Sequence, residues 1–217
     1  MSFSLNEIEA MGRRAARGAG LHWGIAEEAG KAVRWLAGHG LPGSELLADL
    51  LARNSGLGCE ALGPVWIDGV WQARSGWLCS LIAGVSLVDR ADEFARGRVF
   101  ELGPTTVPVL LAPYAARASR ATGAAVEVFW PGVTLTVTPD GGLAVRGASA
   151  SVVARSAERA RCQQCAEPPV IAPPGHARHV VDAESWRRLD ALARRTYAPA
   201  TEASRLAGAG AGLSDND

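Results

Sequence analysis

A chain of 217 residues and 22.6 kDa fits one large domain or two small ones, and its 48% hydrophobic content excludes a disordered polymer. Formal charge is zero, without the basic excess that phosphate contacts require of a nucleic-acid binder. The longest mostly apolar stretch, residues 77–88, is too short to span a bilayer as a helix, and residues 1–11 lack an export signal, so the expected protein is cytoplasmic with no membrane partner.

Ser4 and Glu7 have the spacing of a capping box, which predicts a helix from Leu5 carrying Ile8, Met11, Ala15, Ala16 and Ala19 on one face. Gly18 and Gly20 end it. A second helix is expected over 24–37, burying Ile25, Ala29, Val33 and Leu36 and stopping at Gly38-His39-Gly40. A third follows Pro42 and Gly43 on a stripe of Leu46, Leu47, Leu50 and Leu51. Connections this short group the three as a helical subdomain over 1–55.

The hairpin dipeptide Asp68-Gly69 places a strand pair within 65–72. Residues 78–95 read as one helix, 99–102 as a strand and 109–120 as another helix. Val126, Val128, Val133, Leu135 and Val137 alternate with less apolar neighbours, punctuated by Pro131-Gly132 and Asp140-Gly141-Gly142. The segment 125–147 is therefore a three-stranded antiparallel meander. A short helix is expected over 157–161, and Pro168, Pro169, Pro173 and Pro174 bar its continuation. Asp182 caps a last helix carrying Trp186, Leu189 and Leu192. The expected class is α+β: N-terminal helical hairpins packed with a small antiparallel sheet, then a C-terminal helix. One domain covers 1–207, and a flexible glycine-rich tail covers 208–217.

Cys162-x2-Cys165 followed by His176-x2-His179 offers the two thiolates and two imidazoles that tetrahedral zinc prefers. Zinc would staple a loop there; a redox dithiol and an ordinary surface loop are the rival readings. Gly18, Gly20 and Gly24 imitate a phosphate loop, but a helix precedes them where a strand is required, and Glu27 and Glu28 would repel a phosphate. His22 beside this turn is a candidate base if Glu27 or Glu28 orients it, against the plainer reading of a packed turn residue. Trp23 is a candidate ligand contact. Asp215 and Asp217 could supply oxygen ligands, against the reading of a fraying tail. Cys79 reads as core.

Lys31 is the only lysine among 22 basic side chains; the arginines suit carboxylate and phosphate recognition, although GC-rich coding produces the same bias. The seven tryptophans can anchor a core or a ligand pocket. Ser4-Leu5-Asn6-Glu7-Ile8-Glu9, Ala15-Ala16-Arg17-Gly18-Ala19-Gly20, and Trp23-Gly24-Ile25-Ala26-Glu27-Glu28-Ala29-Gly30 carry a family likeness. With Thr196-Tyr197-Ala198-Pro199-Ala200-Thr201 and the 208–217 ending, they resemble a bacterial family catalogued as a domain of unknown function. The resemblance implies a stand-alone bacterial protein and supplies no activity or catalytic residue. Two functions remain open. One is a small-molecule-binding protein or enzyme with a cleft between helices and sheet. The other is a non-catalytic interaction or assembly factor with a zinc-stapled Cys/His loop facing a protein partner.

Overall fold

In the computed structural model, which describes residues 1–169, 171 and 175–197, strand β1 (Ser2–Ser4) turns directly into α1 (Leu5–Gly18). The predicted capping box is complete: the Glu7 N–H donates to Ser4 Oγ at 3.3 Å, and the Ser4 N–H donates to the Glu7 carboxylate at 2.7 Å. The Ser4 hydroxyl and N–H, both donating to Glu7, hold its carboxyl below the usual range. Short turns lead to α2 (Trp23–Gly38) and α3 (Gly43–Arg53). α1 and α2 approach closely because Gly30 faces the α1 backbone, where a Cβ would stand 2.7 Å from the Glu9 carbonyl oxygen.

α4 (Cys59–Leu62) precedes the expected hairpin of β2 (Val65–Ile67) and β3 (Val70–Gln72). Its turn has Asp68 at φ 49° and Gly69 at φ 81°, the positive pair that a type I′ turn demands. Next come β4 (Leu78–Cys79), α5 (Ser80–Val88) and α6 (Ala91–Ala95), so the helix expected over 78–95 is a strand and two helices. The break after α5 turns Phe94 into the core, its ring centroid 4.9 Å from that of Phe100. β5 (Phe100–Leu102), β6 (Thr105–Thr106) and a 3₁₀ turn (Pro108–Leu111) lead into α7 (Ala112–Thr122).

The meander of β7 (Val126–Trp130), β8 (Val133–Val137) and β9 (Leu143–Gly147) is present, with Val128 opposite Leu135 and Leu135 opposite Val145. After α8 (Ser149–Val152), the helix expected over 157–161 is instead β10 (Ser156–Ala157) and β11 (Ala160–Gln164). β11 inserts between β5 and β7, giving both a partner for their backbone groups. The meander is thus one end of a seven-stranded sheet, ordered β2-β3-β5-β11-β7-β8-β9, in which only β3 and β5 pair in parallel. β12 (Arg178–Val180) pairs with β1 and feeds α9 (Ala183–Ala193), capped by Asp182, which accepts from the Ser185 N–H at 2.8 Å.

The architecture is α+β and includes the expected C-terminal helix. A contiguous core runs from Ile8 and Leu36 in the helices through Leu81 and Tyr114 to Val128 and Leu135 in the sheet. Among the described residues no helix is long and apolar enough to cross a membrane. The tail expected over 208–217 lies outside the described residues.

Candidate functional site

Helical spacing puts Lys31, Arg34, Trp35 and Gly38 on one face of α2, opposite the buried Val33 stripe. This face borders a cavity of about 300 Å³. Leu5 closes one side, with its Cδ1 3.6 Å from where a Gly38 Cβ would stand. Arg120, in the last turn of α7, and the β8–β9 turn at Asp140 and Gly141 form the opposite wall.

His39 ties the helix end to that turn. Its ring lies on the Trp35 indole with centroids 3.8 Å apart. Nδ1 is 2.7 Å from the Trp35 carbonyl oxygen, and Nε2 is 2.9 Å from that of Gly141. An imidazolium has two N–H donors and satisfies both carbonyls; a neutral ring satisfies one. The turn is braced internally as well. The Thr138 hydroxyl donates to the Asp140 carboxylate and, with the nearby Gly142 N–H, holds its carboxyl below the usual range; that N–H itself donates to Thr138 Oγ1 at 3.1 Å.

Most of the charge around the cavity is matched. Lys31 pairs with Glu28 at 2.9 Å, Arg34 with Glu9 at 2.8 Å, and Arg117 with the other oxygen of Glu28. Asp140 is engaged by its own turn. Arg120 is different: among the described residues it makes no ion pair or hydrogen bond, and its Nη2 lies 3.8 Å from where a Gly141 Cβ would stand. The cavity therefore combines an indole, a leucine, the Asp140 carboxylate held in its own turn and a guanidinium that has no ion pair among the described residues, an arrangement that suits an organic anion with an apolar body.

The residues singled out by sequence lie elsewhere. His22 is exposed at the N-terminus of α2, without a side-chain capping bond, and Trp23 beside it is 65% exposed. Glu27 pairs with Arg13 at 3.3 Å, and Glu28 with Lys31 and Arg117. Cys162 is buried in β11 opposite Phe100 and Val128. Cys165 emerges on the other face, 3.5 Å from Glu127 Oε1, because alternation along a strand separates side chains three residues apart. His176 lies beside Gly40, and His179 pairs with Phe3 across β12 and β1. Among the described residues no group of three or more His, Cys, Asp or Glu is placed to hold a metal ion. Asp215 and Asp217 lie outside the described residues.

Burial pushes the Cys79 thiol up to about 11 and Cys162 well above the ordinary thiol range. Ellman's reagent at mildly alkaline pH is expected to leave both unmodified in the folded protein and to reach both in denaturant. Mass spectrometry of each cysteine checks this, and rapid native-state labelling of Cys79 would contradict it.

Three comparisons place the chain among known proteins. Residues 3–74, from β1 through the β2–β3 hairpin, match a family described as "Protein of unknown function (DUF3726)". That match includes the Lys31–His39 wall of the cavity and stops before Arg120 and Asp140. Malate dehydrogenase from Entamoeba histolytica is similar in structure at a TM-score of 0.41 and 10% identity, covering 67% of this chain and 45% of that one. The chain thus spans less than half the length of that enzyme. No curated protein matches the chain.

Proposed function

We propose that this is a cytoplasmic, bacterial small-molecule-binding protein whose ligand is an organic anion held between the end of α2 and the β8–β9 turn. The observation that carries the reading is Arg120. A guanidinium placed at a largely apolar cavity, with no carboxylate paired to it among the described residues, can take one from solution, and arginine does so with two parallel hydrogen bonds. Trp35 and Leu5 would receive the apolar body of the ligand. His39 and Asp140 are already bonded within the fold, so the geometry supports binding and assigns no chemical step.

Benzoate is a suitable probe. Arg120→Gln is expected to weaken benzoate binding by about tenfold or more in calorimetry, the loss of one charge-assisted hydrogen-bonded pair. Its melting temperature should not change, because Arg120 has no hydrogen-bond or ion-pair partner among the described residues to lose. Arg187→Gln, on the exposed face of α9, serves as the control and should bind like wild type. Equal affinity in Arg120→Gln and wild type would overturn the reading.

A further inference from the structure

His39 is half-buried in the wall of the anion cavity, between the end of α2 and the β8–β9 turn. Among the described residues no other donor reaches the Gly141 carbonyl oxygen, so this carbonyl needs the ring N–H on Nε2. Nδ1 then faces the Trp35 carbonyl oxygen at 2.7 Å, and that oxygen already accepts the His39 backbone N–H at 3.2 Å. Without a proton, Nδ1 sets a lone pair against this oxygen; with one, it donates to it. Moving a single proton from Nε2 to Nδ1 only transfers the conflict to Gly141. The fold thus has a place for a second proton on the ring before any ligand arrives.

The surrounding charges decide when that place is filled. Lys31 and Arg34 of α2 and Arg120 of α7 line the same cavity and oppose a further cation; Asp140 in the β8–β9 turn favours it. From α1, Glu9 is already paired with Arg34, and on α2 Glu28 is paired with Lys31. β12, packed beside α2, carries Arg178, bonded to Ser2, and His179, while the Met1 amine donates to Val181 at 2.8 Å. His176 is the nearest other imidazole, its Nε2 3.5 Å from where a Gly40 Cβ would stand. A carboxylate bound among these groups tips the balance toward the imidazolium. We infer that an organic anion entering the cavity is accompanied by a proton from solvent, taken up on His39 Nδ1, so that the site binds more tightly as pH falls through the histidine range. This inference rests on the anion site proposed above. Linkage makes the effect reciprocal: whatever the proton contributes to anion binding, the anion contributes to proton binding.

Wild type, His39→Gln, His176→Gln and Arg120→Gln are titrated calorimetrically with benzoate in two buffers of different ionisation enthalpy, from pH about 5.5 to about 8. Benzoate stays ionised over that range. Wild type is expected to take up a fraction of a proton on binding and to lose about three- to tenfold in affinity from the low to the high end, as suits two charges facing one solvent-open cavity. Glutamine at 39 can still donate to Gly141 but does not titrate, so His39→Gln should bind with an affinity flat in pH and an enthalpy independent of buffer. His176→Gln should behave like wild type. In NMR of the wild type, the His39 ring, assigned through bonds to its own backbone, should titrate at higher pH with saturating benzoate than without; this holds whatever the variant does to folding. Proton uptake that persists in His39→Gln, or a His39 titration that benzoate leaves in place, overturns the coupling, and weaker binding by Arg120→Gln then keeps the anion site standing. Equal affinity in Arg120→Gln and wild type removes the anion site and the coupling with it.

Discussion

Gly84→Ala is expected to lower the melting temperature by about 4–8 °C, although alanine is the better helix former. Gly84 lies inside α5, where the exchange alone would gain about 1 kcal/mol of helix propensity. Against that gain stands the Tyr114 ring, with three carbons 2.2, 2.5 and 2.7 Å from the new methyl group. Tyr114 is itself fully packed, so the ring cannot rotate away and α5 and α7 must separate. Overpacking of this kind costs about 1–3 kcal/mol and sometimes more, and contacts this short belong at the upper end. A net loss of about 2 kcal/mol in a chain of this size corresponds to the stated shift. Thermal unfolding followed by circular dichroism measures it. Combining Gly84→Ala with Tyr114→Leu should recover part of the loss, because the two side chains compete for the same space. An unchanged or higher melting temperature in the single variant would show that α5 and α7 yield more readily than their packing implies.

The features legible in the sequence are those closed by bonds between near neighbours. Ser4 with Glu7, Asp182 with Ser185 and Asp68 with Gly69 each complete their structure within four residues, so spacing alone locates them. The meander is legible because its strands are joined by short turns, β7 alternates in burial and β8 alternates valine or leucine with threonine, whereas β9 at the sheet's end buries none of its residues. β4 and β11 are not, because their partners are remote. Leu78 pairs with Thr105, and β11 takes its place between β5 and β7 only in the assembled sheet. Ala160, Arg161, Cys162 and Gln163 do alternate in burial, but four residues cannot separate that period from a turn of helix. The cavity follows the same logic. Lys31 and Arg34 look like the solvated flank of α2, His39 like part of a Gly-His-Gly stop, and Arg120 like an ordinary last-turn cation. Only the fold brings α7 and the β8–β9 turn to them, whereas His22 and Trp23 stand at the opposite end of α2.

Gly18→Ala tests a different boundary, that between α1 and the C-terminal helix. A Cβ on Gly18 would stand 1.8 Å from the Leu192 carbonyl oxygen, a backbone atom with no rotamer by which to escape. The expected cost is about 3 kcal/mol, at the severe end of overpacking. It should fall unevenly, because α9 is anchored mainly near its start and middle. Phe3 stacks on Trp186 with centroids 3.7 Å apart, the Asp182 N–H donates to Glu45 at 2.9 Å, and Arg188 pairs with Asp49 at 2.8 Å. These contacts act as a pivot, and the end of α9 carrying Leu189 and Ala193 lifts. Hydrogen exchange should therefore rise most in residues 189–196 and least in α5 and α7. Benzoate affinity should hold, since the cavity is lined from α1's first residue, α2, α7 and the β8–β9 turn. Uniform loss of protection along the chain would mean that α9 cannot loosen without the rest, and the pivot would be wrong. An unaltered exchange pattern would mean that α1 and α9 do not meet at Gly18 as closely as their backbones indicate.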